Sequence, residues 1–135
     1  ETLKEYGQSL GAKFTMIGKE TDSFGIINCS DMIIYWKNVK KFIDRNDDYG
    51  NLLKKYLSNP TYKIVENDGV LKYNYVRKYG SYDIAYHEAG YVETSKPYFM
   101  IILTQLNKES YKKKFVNDTS KLLLNINKIL NERED

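Results

Sequence analysis

Apolar residues recur at helical spacing through the first half of the chain, alternate with polar ones around residues 72–79, and return to helical spacing at the end. The expected order is therefore helices, strands, helix. Thr2 to Leu10 reads as a helix stopped by Gly11, and residues 12–29 as a loop with short extended pieces. Ser30 is placed to cap the next helix, with Asp31 in its first turn. Met32, Trp36, Val39 and Ile43 then form one face of a helix running to about Arg45. A further helix fits Asp48 to Leu57, its expected core stripe being Tyr49, Leu52, Leu53, Tyr56 and Leu57, and Asn59-Pro60 ends it. Residues 72–79 and 82–93 read as strands separated by a Gly80-Ser81 turn, and residues 94–97 are short enough for a hairpin connection. Tyr98 to Leu106 is apolar without alternation, which predicts a strand covered on both faces and central in its sheet. A helix from about Glu109 to Asn131 closes the chain, with Tyr111, Phe115, Thr119, Leu122, Ile126 and Ile129 as its apolar stripe. The expected class is α+β: helices, a three-stranded antiparallel sheet, then a helix packed on it.

Composition narrows the chemistry. The 135 residues, 41% hydrophobic and 14% aromatic, suit a single globular domain spanning 1–135. A net charge of +3 comes without a dense basic patch. The one tight run, Lys112-Lys113-Lys114, fans around a helix as a solvated face, so no nucleic-acid partner is expected. One cysteine and one histidine supply neither a disulfide nor the usual transition-metal ligand set. No metal or other cofactor is expected, and Cys29, in an apolar stretch, is expected to be buried and inert. No segment is long and apolar enough to span a bilayer. Glu1 opens the chain without methionine in what reads as mid-helix, so further residues are expected upstream.

Three successive segments carry a recognisable pattern: Val76-Arg77-Lys78-Tyr79-Gly80, then His87-Glu88-Ala89-Gly90-Tyr91-Val92, then Lys96-Pro97-Tyr98 leading to Leu103-Thr104. They resemble the class A β-lactamase-like family of penicillin-recognising serine hydrolases, whose members read roughly H-K-T-G, H-D-x-G-I-V and K-P-Y-x-x-x-x-L-T. Ile27-Asn28-Cys29-Ser30-Asp31-Met32 is similar to the family's T-T-P-x-D-M helix start, and Leu10-Gly11-Ala12 to the segment before it. The resemblance spans nearly the whole chain in the right order. It implies the C-terminal portion of a β-lactamase-like domain, an extracytoplasmic location, and a substrate that is a β-lactam or a D-Ala-D-Ala-type peptidoglycan peptide.

The resemblance assigns Lys78 the catalytic and carboxylate-binding role, and Tyr79, Gly80 and Ser81 to substrate binding. The chemistry is coherent. A lysine on an edge strand can hold a substrate carboxylate and raise the local potential, lowering the pKa of a neighbouring base. A glycine lets an extended ligand approach the strand backbone. Tyr79 stands where the family has Thr or Ser, and its phenol is expected to crowd a carboxylate pocket. Glu88 replaces the family's Asp and Tyr91 its Ile.

The family's S-x-x-K nucleophile and S-D-N motifs have no counterpart. Ser110-Tyr111-Lys112-Lys113 matches S-x-x-K in letters. With eight serines and 18 lysines in 135 residues, about one chance match is expected, and this one follows the strands. Tyr49-Gly50-Asn51 falls in the wrong helix for the Y-x-N variant. Glu20 is the one glutamate between Lys13 and Asn28, with no E-x-x-L-N pattern to hold a deacylating water.

Three functions follow as expectations, the last being an unrelated α+β interaction domain with coincidental motif matches. The first is a portion of a serine hydrolase, inactive alone because acyl transfer needs nucleophile, base and oxyanion donors together. The second is a non-catalytic binding module of the same fold, which Tyr79 favours. The expected partner is a missing N-terminal segment of the same domain, or a second copy joined through the uncharged 98–106 edge.

Overall fold

The computed structural model describes residues 3–13, 16–17, 25–65, 73–82, 85–106 and 113–131. It is α+β, with helices preceding a three-stranded antiparallel sheet and a C-terminal helix packed on it. The chain forms two compact units, Glu1–Asn51 and Leu52–Asp135.

In the first unit, α1 (Leu3–Ser9) ends at Gly11, whose φ of +92° suits glycine. A short antiparallel pair follows, β1 (Met16–Ile17) with β2 (Gly25–Ile26). Next, α2 (Cys29–Ile43) is capped by Asn28, not Ser30: the extended Asn28 accepts the Asp31 N–H through Oδ1 at 2.8 Å. Asp31 is itself buried, and its carboxylate accepts the Lys13 N–H at 3.2 Å. Trp36 and Ile43 are buried as their spacing predicts. Cys29, in contrast, is exposed in the first turn of α2.

The third helix, α3 (Asp48–Ser58), starts where Asp47 Oδ1 accepts the Gly50 N–H at 2.8 Å, a bond that lowers the Asp47 pKa. Its aromatic stripe is not core. Tyr49, Leu52 and Tyr56 are exposed, and the inward line runs one residue later, through buried Gly50 and half-buried Leu53 and Leu57. The apolar spacing i, i+3, i+7 fits both lines, and the helix buries the less bulky one.

The second unit holds β3 (Asn74–Tyr82), β4 (Ala85–Glu93) and β5 (Tyr98–Thr104), in spatial order β3-β4-β5. Gly80 and Ser81 do not turn. They pair with His87 and Tyr86, and the register runs on to Tyr82 opposite Ala85. β4, not β5, is the central strand. β5 forms one edge, and all seven of its residues are half-buried. Among the described residues its continuous apolar run is partly covered along its length and lies at the edge of the sheet.

Alternation places Tyr75, Arg77 and Tyr79 on one face together with Tyr86, Glu88 and Val92. There Tyr75, Tyr86 and Val92 form a core with Ile64, Val65 and Leu123, against which Met100, Ile102 and Phe115 pack. Leu123 belongs to α4 (Lys113–Asn131), whose Asn127 Oδ1 accepts the Tyr98 hydroxyl at 2.8 Å. The inward line of α4 is Ser120, Leu123 and Asn127, all buried, whereas Leu122 and Ile129 are exposed. Phe115, Thr119 and Ile126 are half-buried, and Tyr111 lies outside the described residues. Two polar residues on the buried line put the apolar period out of phase with the packed face.

Gly90 lies opposite Arg77. A Cβ there would come within 2.2 Å of the Val76 carbonyl oxygen and 2.8 Å of Arg77 Cα. Both are backbone atoms, which cannot swing aside. Gly90→Ala is therefore expected to destabilise the fold by about 1–3 kcal/mol, the usual cost of overpacking, measured as a shift in the urea unfolding midpoint. An unchanged midpoint would show that β3 and β4 can separate at no cost.

Candidate functional site

Beneath the outer edge of β3 lies a buried ion pair. Glu88 is 0% exposed and Arg77 6%. Arg77 Nη1 donates to Glu88 Oε1 at 3.3 Å and to the Val65 carbonyl at 2.8 Å. Glu88 Oε2 accepts the Ile64 N–H at 2.6 Å. The guanidinium also lies over the Tyr75 ring, 4.6 Å from its centroid. One carboxylate thus joins β4, β3 and the irregular segment at 64–65. Burial pushes the Glu88 carboxyl above its usual value, and the Arg77 charge and the Ile64 N–H pull it back only in part. Burial, and then the Glu88 charge, hold the Tyr75 phenol well above its usual value.

The segment so tied continues from the end of α3. Asn59 Nδ2 donates to the Lys55 carbonyl at 2.9 Å, ending the helix where Asn59-Pro60 predicts. Lys54 pairs with Glu93 at 2.8 Å, and Asn74 Nδ2 donates to Glu93 at 2.9 Å and to Ser58 Oγ at 3.1 Å. These contacts hold the last turns of α3 beside the ends of β3 and β4.

Between this segment and β3 lie two clefts. The first, about 420 Å³, is largely apolar and is lined by Tyr56, Leu57, Pro60, Tyr62, Lys78 and Tyr79 among others. The second, about 380 Å³, is polar, with Ser58, Asn59, Lys63, Tyr73, Asn74 and Arg77 on its walls.

Three of the four sequence-derived site residues flank the apolar cleft or the open edge beside it. Lys78 is exposed and lines the cleft, its ammonium donating to the Tyr79 carbonyl. Among the described residues no carboxylate lines this cleft. Tyr79 also lines it but is held from the core side. Its ring is half-buried, edge-on to buried Tyr86 with centroids 4.9 Å apart, and 5.8 Å from Tyr62. Gly80 is exposed, and nothing lies within 4 Å of where a Cβ would stand, so the strand can be approached there. Ser81, further along, is exposed and lines neither cleft.

Sequence reasoning passed over Arg77 and Glu88 as site-building residues, and over Tyr56 and Tyr62 as cleft walls. The signal for the first pair was the strand alternation, which puts Arg77 in phase with Tyr75 and Tyr79 on the inward face. Among the described residues no cluster of His, Cys, Asp and Glu could hold a metal ion, and no helix is long and apolar enough to cross a membrane. Glu20 and the Ser110–Lys112 stretch lie outside the described residues. No protein-family model and no curated protein matches the chain.

The raised Glu88 pKa carries a pH prediction. The folded chain holds this proton more tightly than the unfolded chain, whose value is near the ordinary 4.5. The resulting stabilisation is fully present below that value and is lost as pH rises through the folded one. Urea unfolding of the native chain and of Glu88→Gln across this window should show the native chain losing stability relative to the variant as pH rises. A gain with pH would mean that the Arg77 charge outweighs burial.

Proposed function

We propose that this chain is the ligand-recognition portion of a β-lactamase-like serine hydrolase domain. Its ligand is a β-lactam or a D-Ala-D-Ala-type peptide, with the nucleophile on a segment outside these 135 residues. The observation that carries the reading is Lys78: an exposed ammonium on an edge strand, over an apolar cleft that no carboxylate lines among the described residues, next to an open glycine. A ligand carboxylate would neutralise this charge, and an extended ligand backbone could lie along the strand past Gly80. The order of motifs along the chain supports the same reading. With no nucleophile, this portion binds and does not turn over.

A second reading, a binding module that has lost the chemistry, is favoured by Tyr79. Its ring is tied to Tyr86 and Tyr62, where the resembled family carries a short hydroxyl side chain. Both readings require the same recognition of a carboxylate.

Titration of acetyl-D-Ala-D-Ala into the 135-residue chain, followed by NMR shifts, tests that recognition. Binding should weaken by about tenfold or more in Lys78→Met, the scale of one charge-assisted contact, and by a similar factor when the peptide's carboxylate is amidated. Equal affinity for Lys78→Met would remove Lys78 from the site.

We further propose that β5 finds its missing neighbour outside the described residues, in an N-terminal segment of the same domain or in a second copy. Among the described residues no strand pairs with its outer edge, and Tyr98–Thr104 carries no charge to discourage pairing. Exposed Leu122 and Ile129 on α4 add apolar surface. Light scattering at micromolar concentration should give a mass above the 15.9 kDa of one chain. A 15.9 kDa particle with a sharp cooperative melt would show that the edge needs no partner.

A further inference from the structure

The apolar cleft has walls that a carboxylate site alone does not require. Tyr56 is 69% exposed and Tyr62 61%, so both present ring surface to the cleft and to solvent. Tyr62 is not isolated. It belongs to a ladder that runs through Tyr79 at 5.8 Å to Tyr86 at 4.9 Å, and Tyr86 is a core residue. Pro60, two residues before Tyr62, lines the cleft as well. The exposed rings therefore stand on a positioned support. Exposed aromatic surface beside a largely apolar cleft is the pattern of a binding site more than of a solvated face.

The charge in the cleft is equally specific. Arg77 is compensated by Glu88, whereas among the described residues the Lys78 ammonium donates to the backbone carbonyl of Tyr79. The occupant that complements these features is an anion with an aromatic or flat apolar body. A sugar fits less well. Among the described residues no carboxylate or amide side chain, the groups that usually bind sugar hydroxyls, lines this cleft, and its lining is dominated by Tyr, Leu and Pro.

Resting on the carboxylate-binding reading above, we propose that this cleft selects carboxylate ligands bearing an aryl or arylacyl group. The ring packs between Tyr56 and Tyr62, and the carboxylate meets Lys78. A ligand that fills a cleft of about 420 Å³ falls in the small-molecule range. Stacking against two tyrosines adds affinity beyond burial alone. Tyr56 and Tyr62 are thus specificity residues for the ligand's apolar end, and Lys78 anchors its charged end.

The test compares phenylacetyl-D-Ala-D-Ala, acetyl-D-Ala-D-Ala, phenylacetate and N-acetylmuramic acid on the 135-residue chain by NMR titration. Phenylacetyl-D-Ala-D-Ala should bind about tenfold or more tightly than its acetyl counterpart, the scale expected for a buried aromatic ring. Tyr62→Ala and Tyr56→Ala should each reduce that preference, weakening phenylacetyl-D-Ala-D-Ala more than acetyl-D-Ala-D-Ala. Tyr62→Phe should restore it. Both tyrosines are exposed, so the variants keep the fold, which their amide spectra would verify. Equal affinity for the two dipeptides overturns the aryl selectivity while the carboxylate reading stands. Tyrosine-dependent binding of phenylacetate, with neither dipeptide bound, keeps the aryl site and removes the peptide reading. Tighter binding of N-acetylmuramic acid than of phenylacetate overturns the aryl assignment in favour of a sugar, and no binding by any of the four overturns both proposals.

Discussion

A carboxylate sealed from water sets the terms for the sheet-bearing unit. Glu88 sits on the central strand at 0% exposure and makes its hydrogen bonds to Arg77 and to the backbone of Ile64. An ion in such a place is costly unless its partners are fixed, and losing one partner typically costs about 3–5 kcal/mol. The irregular segment at 64–65 therefore has one favourable position: its N–H on Glu88 and its carbonyl on Arg77. Pro60 and Tyr62 stand only a few residues upstream. The wall of the apolar cleft is thus positioned by a polar contact within the core. Gly90 belongs to the same arrangement, because the space its Cβ would fill is taken by the backbone at Val76 and Arg77.

Two cations adjacent in sequence meet opposite fates because a strand alternates. Arg77 points inward, stacks on Tyr75 and is compensated by Glu88. Lys78 points outward and keeps its charge in the open. A guanidinium, planar and weakly hydrated, suits the buried role, and an ammonium on a flexible stem suits the exposed one. Exchanging the two types would place the wrong cation on each side of the sheet. The functional proposals rest on this difference, since an exposed cation beside a largely apolar cleft is complementary to an anionic ligand.

Much of the fold was legible because strong periodicity needs little context. The α2 face of Trp36 and Ile43, the paired strands after residue 73 and the closing helix all follow from spacing. The errors on the helices share one cause: an apolar stripe tells which residues are apolar, not which line a helix buries. On α3 the larger residues Tyr49, Leu52 and Tyr56 stay outside. On α4 polar Ser120 and Asn127 go inside, Asn127 because Tyr98 supplies a hydrogen bond. Gly80-Ser81 resembles a turn locally, but cross-strand pairing with His87 and Tyr86 carries β3 through it. Motif order pointed to Lys78–Ser81, of which Lys78 and Tyr79 line the apolar cleft and Ser81 lines neither cleft. Tyr56 comes to the cleft on the end of α3, held by the Lys54–Glu93 and Asn74–Ser58 contacts, and Tyr62 on the segment that the Glu88 contact at Ile64 fixes, pairings 16 to 39 positions apart that leave no local trace in the sequence.

Hydrogen exchange at the Ile64 amide tests this account most directly. Residue 64 lies in no helix or strand, so without the Glu88 contact its N–H would exchange like that of a loop. The account predicts exchange as slow as that of the β4 amides, opening only with the sheet. Rapid exchange in an otherwise folded chain would contradict it, because the segment that positions the cleft wall would then not be held by Glu88.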